Sequence, residues 1–322
     1  MNTRTFALVA SLLCAFGADC AARSYPGKPI RIIVPLAPGG GLDLITRIYA
    51  LKLQESWGQP VIVDNRGGGG GNIGTDLVAK ATPDGYTLLM GYVGHLAVNP
   101  SLYRKLPYDP IKDFAPVSLL ATAPNVLAAH SSVAANTVQE LVALAKLKPD
   151  SLSYASGGNG TVGHMVGELF KTVTGINMVH IPYKGNGPAV SDLLGGQVQL
   201  MFAGPGVVIP YVKVKKLKAL AVASNNRLPE LSETPTFREA GYPAVEASAW
   251  YGLLAAAGTP RSIIGALNKE TLRIMQLPDV RERLAVHGYE VVTSSPEEFA
   301  QLIKSDLIKW QKVVKASGAK ID

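Results

Sequence analysis

Apolar positions recur along this chain in two alternating periods. "IRIIV" (30–34), "VIV" (61–63) and "YTLLM" (86–90) are aliphatic runs of strand length. Between the first two lies "GLDLITRIYALKLQ", which places Leu42, Ile45, Ile48, Tyr49 and Leu53 on one helical face. "IGTDLVAKA" predicts a shorter helix, and "PDG" (83–85) a turn. The unit then repeats. "VQELVALAK", "GTVGHMVGELFKTVTG" and "PAVSDLLGG" read as helices, and "LSYA", "MVHIPY", "VQLMF" and "LKALAVA" as strands. The last third predicts helices over 260–276, 278–287 and 296–317. The final one opens on Ser295 as N-cap, with Pro296 at the first helical position and Glu297 and Glu298 in the first turn. Strands alternating with helices predict the α/β class, a parallel sheet covered by helices.

The first residues follow a different logic. Arg4 precedes an apolar stretch, Phe6 to Phe16, too short to span a bilayer, and small residues around Cys20-Ala21-Ala22 follow. This pattern predicts a secretory signal peptide over residues 1–22, removed before folding, rather than a buried helix. The chain's two cysteines, Cys14 and Cys20, fall inside it, so the mature protein is expected to have no disulfide, thiol nucleophile or cysteine metal site. No later stretch reaches 18 uninterrupted apolar residues, and export then implies a periplasmic protein. The net charge of +7 is scattered. Its densest group, Lys213, Lys215, Lys216 and Lys218, lacks interleaved aromatics and reads as a solvated face rather than a nucleic-acid site.

The unusual chemistry is in the glycines. "PLAPGGGLD" (35–43), "NRGGGGGNIGTD" (65–76) and "SGGNGTVGH" (156–164) share one layout: strand, glycine-rich turn, helix start. Such turns can be mere tight connections, but they can also converge backbone N–H groups into an anion-holding nest at the positive end of a helix dipole. A hydrogen bond to a charged group contributes about 1.5–3 kcal/mol net. Four or five, less the cost of immobilising a ligand, suffice for roughly micromolar affinity with no cationic side chain.

Rival chemistries fit less well. Gly69 to Gly74 spells G-x-G-x-x-G, yet no acidic residue ends the next strand, and no G-K-[ST] phosphate loop exists. Ser156 sits in "YASGG", not in a nucleophile elbow. His164 and Glu168 are four apart on a helix, but two ligands do not make a zinc site. His95, His130, His180 and His287 are dispersed. A binding protein without metal or cofactor is expected, not an enzyme. Asp43, in the first helical turn after "PGGG", has two readings: dipole compensation, or contact with a ligand ammonium or hydroxyl.

The stretches "YPGKPIRIIVPLAPGGGLD", "VIVDNRGGGGGNIGTDLVAKATPDGYTLLMG", "NPSLYRKLPYDPIKDFAPVSLLA" and "IPYKGNGPAVSDLLGGQVQLMF" resemble the Bug family, extracytoplasmic solute receptors of the tripartite tricarboxylate transporter type. "WYGLLAAAGTP" and "VVKASGAKID" extend the likeness over the whole mature chain. The resemblance implies a type II periplasmic binding protein: two α/β lobes joined by a two-segment hinge, with the ligand in the interlobe cleft. Lobe 1 would comprise 23–124, lobe 2 would comprise 125–224, and 225–322 would return to lobe 1 and add C-terminal helices. The ligand would be a small organic acid or amino acid held by backbone amides. Mapped here, the grip falls on Ala37, Pro38, Gly39, Gly40, Gly41 and Asp43, on Gly70, Gly71 and Asn72, and on Ser156, Gly157, Gly158, Asn159, Gly160 and Thr161, with His95 and Tyr183 nearby. The partners implied are membrane permease subunits, or alternatively a sensor kinase that reads ligand-dependent closure; the receptor itself is expected as a monomer. The chain departs from the family pattern at Gly204, where an acidic residue is common, at Lys215, where a glycine is usual, and in the length of its five-glycine run.

Overall fold

The computed structural model describes residues 25–320, and the expected signal peptide lies outside them. Two mixed sheets organise the chain. The first has the order β11-β4-β10-β3-β1-β2 and the second β7-β6-β8-β5-β9. In the first, β1 (Ile30–Val34) pairs in parallel with β2 (Val61–Asn65) and β3 (Thr87–Tyr92). β10 (Ser248–Ala256) lies antiparallel between β3 and β4 (Phe114–Pro124), and β11 (Glu290–Val291) closes the edge beyond β4. In the second, β6 (Ser153–Ser156) pairs in parallel with β7 (Val179–Pro182) and β8 (Leu200–Ala203). β5 (Val126–His130) lies antiparallel between β8 and β9 (Leu217–Val222).

The antiparallel insertions correct the expectation of purely parallel sheets, and their reason is topological. β4 ends at Pro124 and β5 begins at Val126, so Asn125 alone joins the sheets on the outward pass. The chain leaves β9 at Val222 and returns to start β10 at Ser248. A strand entering from the seam must run away from it, opposite to β1, β3, β6 and β8, whose carboxyl ends reach it. β10 was invisible to periodicity because "SAWYGLLAA" is a continuous apolar run, buried on both faces except at its first residue.

Helices cover both sheets, as amphipathic spacing requires. α1 (Gly41–Trp57) buries Leu42, Ile45, Ile48, Tyr49 and Leu53. α2 (Asn72–Ala79) follows the five-glycine loop, and a one-turn α3 (Asn99–Leu102) follows a π-helical stretch, Gly94–Val98. In the second sheet alternate residues serve opposite faces. Leu127, Tyr154 and Phe202 pack with α4 (Val138–Leu147) and α5 (Val162–Thr174). Val126, Ala155 and Met201 pack with α6 (Asn186–Leu194) and α7 (Pro205–Lys213). The remaining helices are α8 (Arg261–Met275), α9 (Pro278–Ala285) and α10 (Pro296–Ser317). Ser295 and Glu298 form a reciprocal capping box at the start of α10.

Candidate functional site

Four helix N-termini meet at the seam between the sheets, each following a strand that ends there. α1 begins after the loop from β1, α5 after β6, α6 after β7 and α7 after β8. Three of these starts share a chemical oddity. Their N-caps are Gly40, Gly185 and Gly204, and none receives a side-chain cap. A helix leaves its first N–H groups without intrahelical partners, and serine, threonine or aspartate normally satisfies one. In α1 and α6 the Gly41 and Asn186 N–H groups lie at the seam without a described acceptor, whereas α7 opens on Pro205, which has no N–H, and its Val207 N–H returns to the Gly204 carbonyl at 3.1 Å. The exception is α5, where Thr161 accepts from the His164 N–H and the Val162 N–H donates 3.0 Å to Tyr92 Oη of the other sheet.

These ends enclose a chamber. The first sheet contributes Leu36, Ala37, Gly40, Gly41, Leu42, Tyr92 and Tyr251; the second contributes Thr161, Gly163, Asn186, Phe202 and Gly204, with Asn125 from the crossing. None of these side chains is charged. The chamber volume is about 20 Å³, room for little more than a water. The lobes are therefore drawn together. The Ala37 N–H donates 3.0 Å to the Lys184 carbonyl across the seam, and a Cβ on Gly40 would lie 3.6 Å from that of Asn186.

The five-glycine loop faces a different space. Gly68 to Gly71, with Tyr103, meet Gly157, Gly158, Asn159, Pro182, Tyr183 and Lys184 around a cavity of about 160 Å³. Leu36 walls both spaces, and the Ala37–Lys184 bond holds the loop between them. Gly68, Gly69, Gly70 and Gly71 all have positive φ, between 57° and 128°. Only glycine sustains four such residues in succession, which accounts for the run. Gly70 also has no room for a side chain, since a Cβ would sit 2.2 Å from the Asn159 carbonyl oxygen.

The residues expected to grip a ligand thus divide. Ala37, Gly40, Gly41 and Thr161 line the chamber. Gly70, Gly71, Gly157, Gly158, Asn159 and Tyr183 line the second cavity. The others shape the loops. Asp43 is buried; its carboxylate accepts the Gly39 N–H at 3.1 Å and both oxygens take Arg47 Nε at 3.0 Å. Burial pushes the Asp43 carboxyl up, but the Arg47, Gly39 and Asn65 hydrogen bonds outweigh it and hold the group below its ordinary range. Asp43 accordingly clamps the loop that contains Pro38 and Gly39. Asn72 Oδ1 accepts from Asn99 Nδ2 and Tyr108 Oη. His95 is fully buried, accepts the Tyr92 N–H at 3.1 Å, and burial lowers its pKa to about 3. Ser156 Oγ bonds His180 Nε2 at 2.7 Å, and the Gly160 N–H donates to His164 Nδ1 at 3.2 Å. Tyr183 donates to Asp192.

Sequence reasoning did not assign Tyr92, Tyr251, Asn125 or Asn186 to the site, although all line the chamber. Only Asn186 carried a local signal, since it opens a helix directly after a glycine. Glu168 pairs with Lys171 and accepts from Tyr154 Oη. Among the described residues no three or more His, Cys, Asp or Glu side chains gather closely enough to hold a metal.

Comparison with known proteins fits this architecture. Residues 45–319 match the model of the tripartite tricarboxylate transporter family receptor. BugT of Bordetella pertussis is 38% identical over 322 residues, covering 99% of each chain. An R. palustris protein solved with adipate superposes with a TM-score of 0.90 at 35% identity, over 92% of this chain and 100% of that one. MatC from Rhodopseudomonas palustris, solved with bound malate, gives 0.87 at 33% identity, over 90% and 100%. The two-lobed α/β architecture, the seam of helix N-termini and these matches together place the chain in the tripartite tricarboxylate transporter receptor family.

Proposed function

We propose that this protein is a periplasmic solute receptor that captures a small carboxylate between two lobes and delivers it to the membrane subunits of a tripartite transporter. The observation that carries this reading is the chamber itself. Two helices, α1 from the first sheet and α6 from the second, turn glycine-capped N-termini without a side-chain cap toward one uncharged space, and the glycine cap of α7 leaves room beside them. Such groups stabilise an anion through short hydrogen bonds and the aligned helix dipoles, with no cation required. Adipate and malate, bound by related proteins, are anions of the right kind.

In this reading lobe 1 comprises residues 23–124 and 225–322, and lobe 2 comprises 125–224. The grip combines the chamber residues with Gly70, Gly71 and Gly157 to Asn159 beside them. The lobes part about the crossings at Asn125 and beyond Val222, admit the ligand and close. Residues 1–22 are the cleaved export signal. Thermal unfolding of the mature protein with succinate, malate, adipate and citrate tests the reading. A ligand at 100 times its Kd stabilises the folded state by about 2.7 kcal/mol, so at least one acid should raise the midpoint clearly. A panel in which none does would overturn it.

A further inference from the structure

The chamber is walled by phenols as well as by helix ends. Tyr92 Oη accepts the Val162 N–H, and its own proton goes to no described residue. Tyr251 lines the chamber, is 5% exposed, and stacks on Tyr92 with ring centroids 5.5 Å apart. Its hydroxyl neighbours that of Tyr289, and no carbonyl or carboxylate among the described residues accepts its proton. Behind it Tyr289, 3% exposed, presses a buried and unpartnered Oη against Gly41. The Tyr251 and Tyr289 hydroxyls flank Gly204, 3.6 and 3.4 Å from where its Cβ would stand. Burial raises both phenols, so each stays protonated at neutral pH.

A buried donor without an acceptor is costly, and such groups in native proteins call for an explanation. Here open N–H groups and phenol protons face one space, and no carboxylate lines it. Asp43, the acidic residue nearest in sequence, is occupied by the Gly39 N–H and Arg47. An ammonium placed in the chamber would lose its hydration, face the positive ends of the helices and find no counter-charge. An oxygen acceptor would find protons.

We infer that the chamber selects a carboxylic acid whose other polar groups are all oxygen, a dicarboxylate or hydroxy acid, over the matching α-amino acid, with Tyr251 as the side chain that meets one of those oxygens. The inference rests on the carboxylate-receptor reading and narrows it. Calorimetric titration of the mature protein with two matched pairs tests it: malate against aspartate, and 2-hydroxyglutarate against glutamate. Each pair differs only in hydroxyl against ammonium. The expected result is binding of at least one hydroxy acid, on the order of tenfold or more tighter than its amino partner. Tyr251→Phe removes only the hydroxyl; it should weaken that hydroxy acid about tenfold while leaving its amino partner nearly unchanged. A structural role alone would weaken both members equally. An amino acid that binds as tightly as its hydroxy partner, or a Tyr251→Phe variant that leaves the pair's ratio unaltered, overturns the inference and leaves the receptor reading intact. A folded protein that binds none of the four, and none of the acids in the thermal panel, overturns both.

Discussion

At the scale of single residues the site is defined by what is missing. Gly41 opens α1 and has no room for even a methyl group. A Cβ there would stand 2.0 Å from Tyr289 Oη and 2.9 Å from its ring carbon Cζ. Alanine favours a helix over glycine by roughly 1 kcal/mol, but the overlap is with a ring that is itself buried against Tyr251. The clash wins. Gly41→Ala should lower the unfolding midpoint and erase the midpoint rise caused by carboxylates. Gly265→Ala is the control, since Gly265 is exposed in α8 with open space where the methyl would go. It should raise the midpoint through helix propensity alone, by roughly 1 kcal/mol. A Gly41→Ala protein that binds like wild type would move the anion site elsewhere. The glycine loops could be read from the chain, because a costly residue repeated five times needs a reason. Asp43 could not be fully read: neither dipole compensation nor ligand contact anticipates a clamp shared with Gly39 and Arg47. Tyr289 was beyond reach, since it lies more than 200 residues along the chain from Gly41, on which it presses, and Tyr251 belongs to β10, which offered no period.

At the scale of elements, helices were legible where one face is buried and one is not, and the short buried strands β1, β3 and β8 as apolar runs of strand length. α1 and α10 announced themselves by spacing and caps, whereas β4, β5 and β10, buried or passing between sheets, offered no period. The loop between β6 and α5 shows how an element can hide a pH dependence. Its geometry is held by imidazoles: His180 Nε2 shares a hydrogen bond with Ser156 Oγ, His164 accepts the Gly160 N–H, and the two rings stack with centroids 4.2 Å apart. Burial lowers His164 to about 4, with Glu168 opposing and Lys171 assisting. Burial, His164 and Lys171 together lower His180 to about 3. In the unfolded chain both titrate near 6.5, so below that pH the unfolded state binds protons that the folded state refuses. Stability contributed by the neutral pair is complete above about pH 6.5 and falls as the pH drops from there toward about 4. Unfolding midpoints measured across this range should decline, and His164→Asn, which keeps an acceptor near the Nδ1 position, should flatten the slope. An unchanged slope in that variant would show that this pair does not carry the dependence.

At the scale of the molecule the amides proposed to bind must first be uncovered. A chamber of about 20 Å³ has room for little more than a water, so on the proposed reading the described arrangement is the closed one and uptake separates the lobes. The seam is thin in polar terms. Ala37 to Lys184 and Val162 to Tyr92 cross it directly, and glycines at 39, 40 and 187 let the backbones approach. A ligand that adds hydrogen bonds from both sides would tip such a balance, which is how binding energy becomes lobe motion. The geometry permits a direct trap. A Cβ on Gly40 would lie 3.6 Å from the Asn186 Cβ, inside the range of a disulfide. The chain's two cysteines, Cys14 and Cys20, both fall within the expected signal peptide, so a Gly40→Cys, Asn186→Cys pair in the mature protein would have no competing thiol. Oxidation should lock the lobes shut. Small-angle scattering of the ligand-free double variant should then give a smaller radius of gyration oxidised than reduced, with the reduced value matching that of the empty wild type. Equal radii in the two redox states would mean that the empty receptor already rests closed, and that the ligand enters by a local opening of the glycine loops rather than by movement of whole lobes.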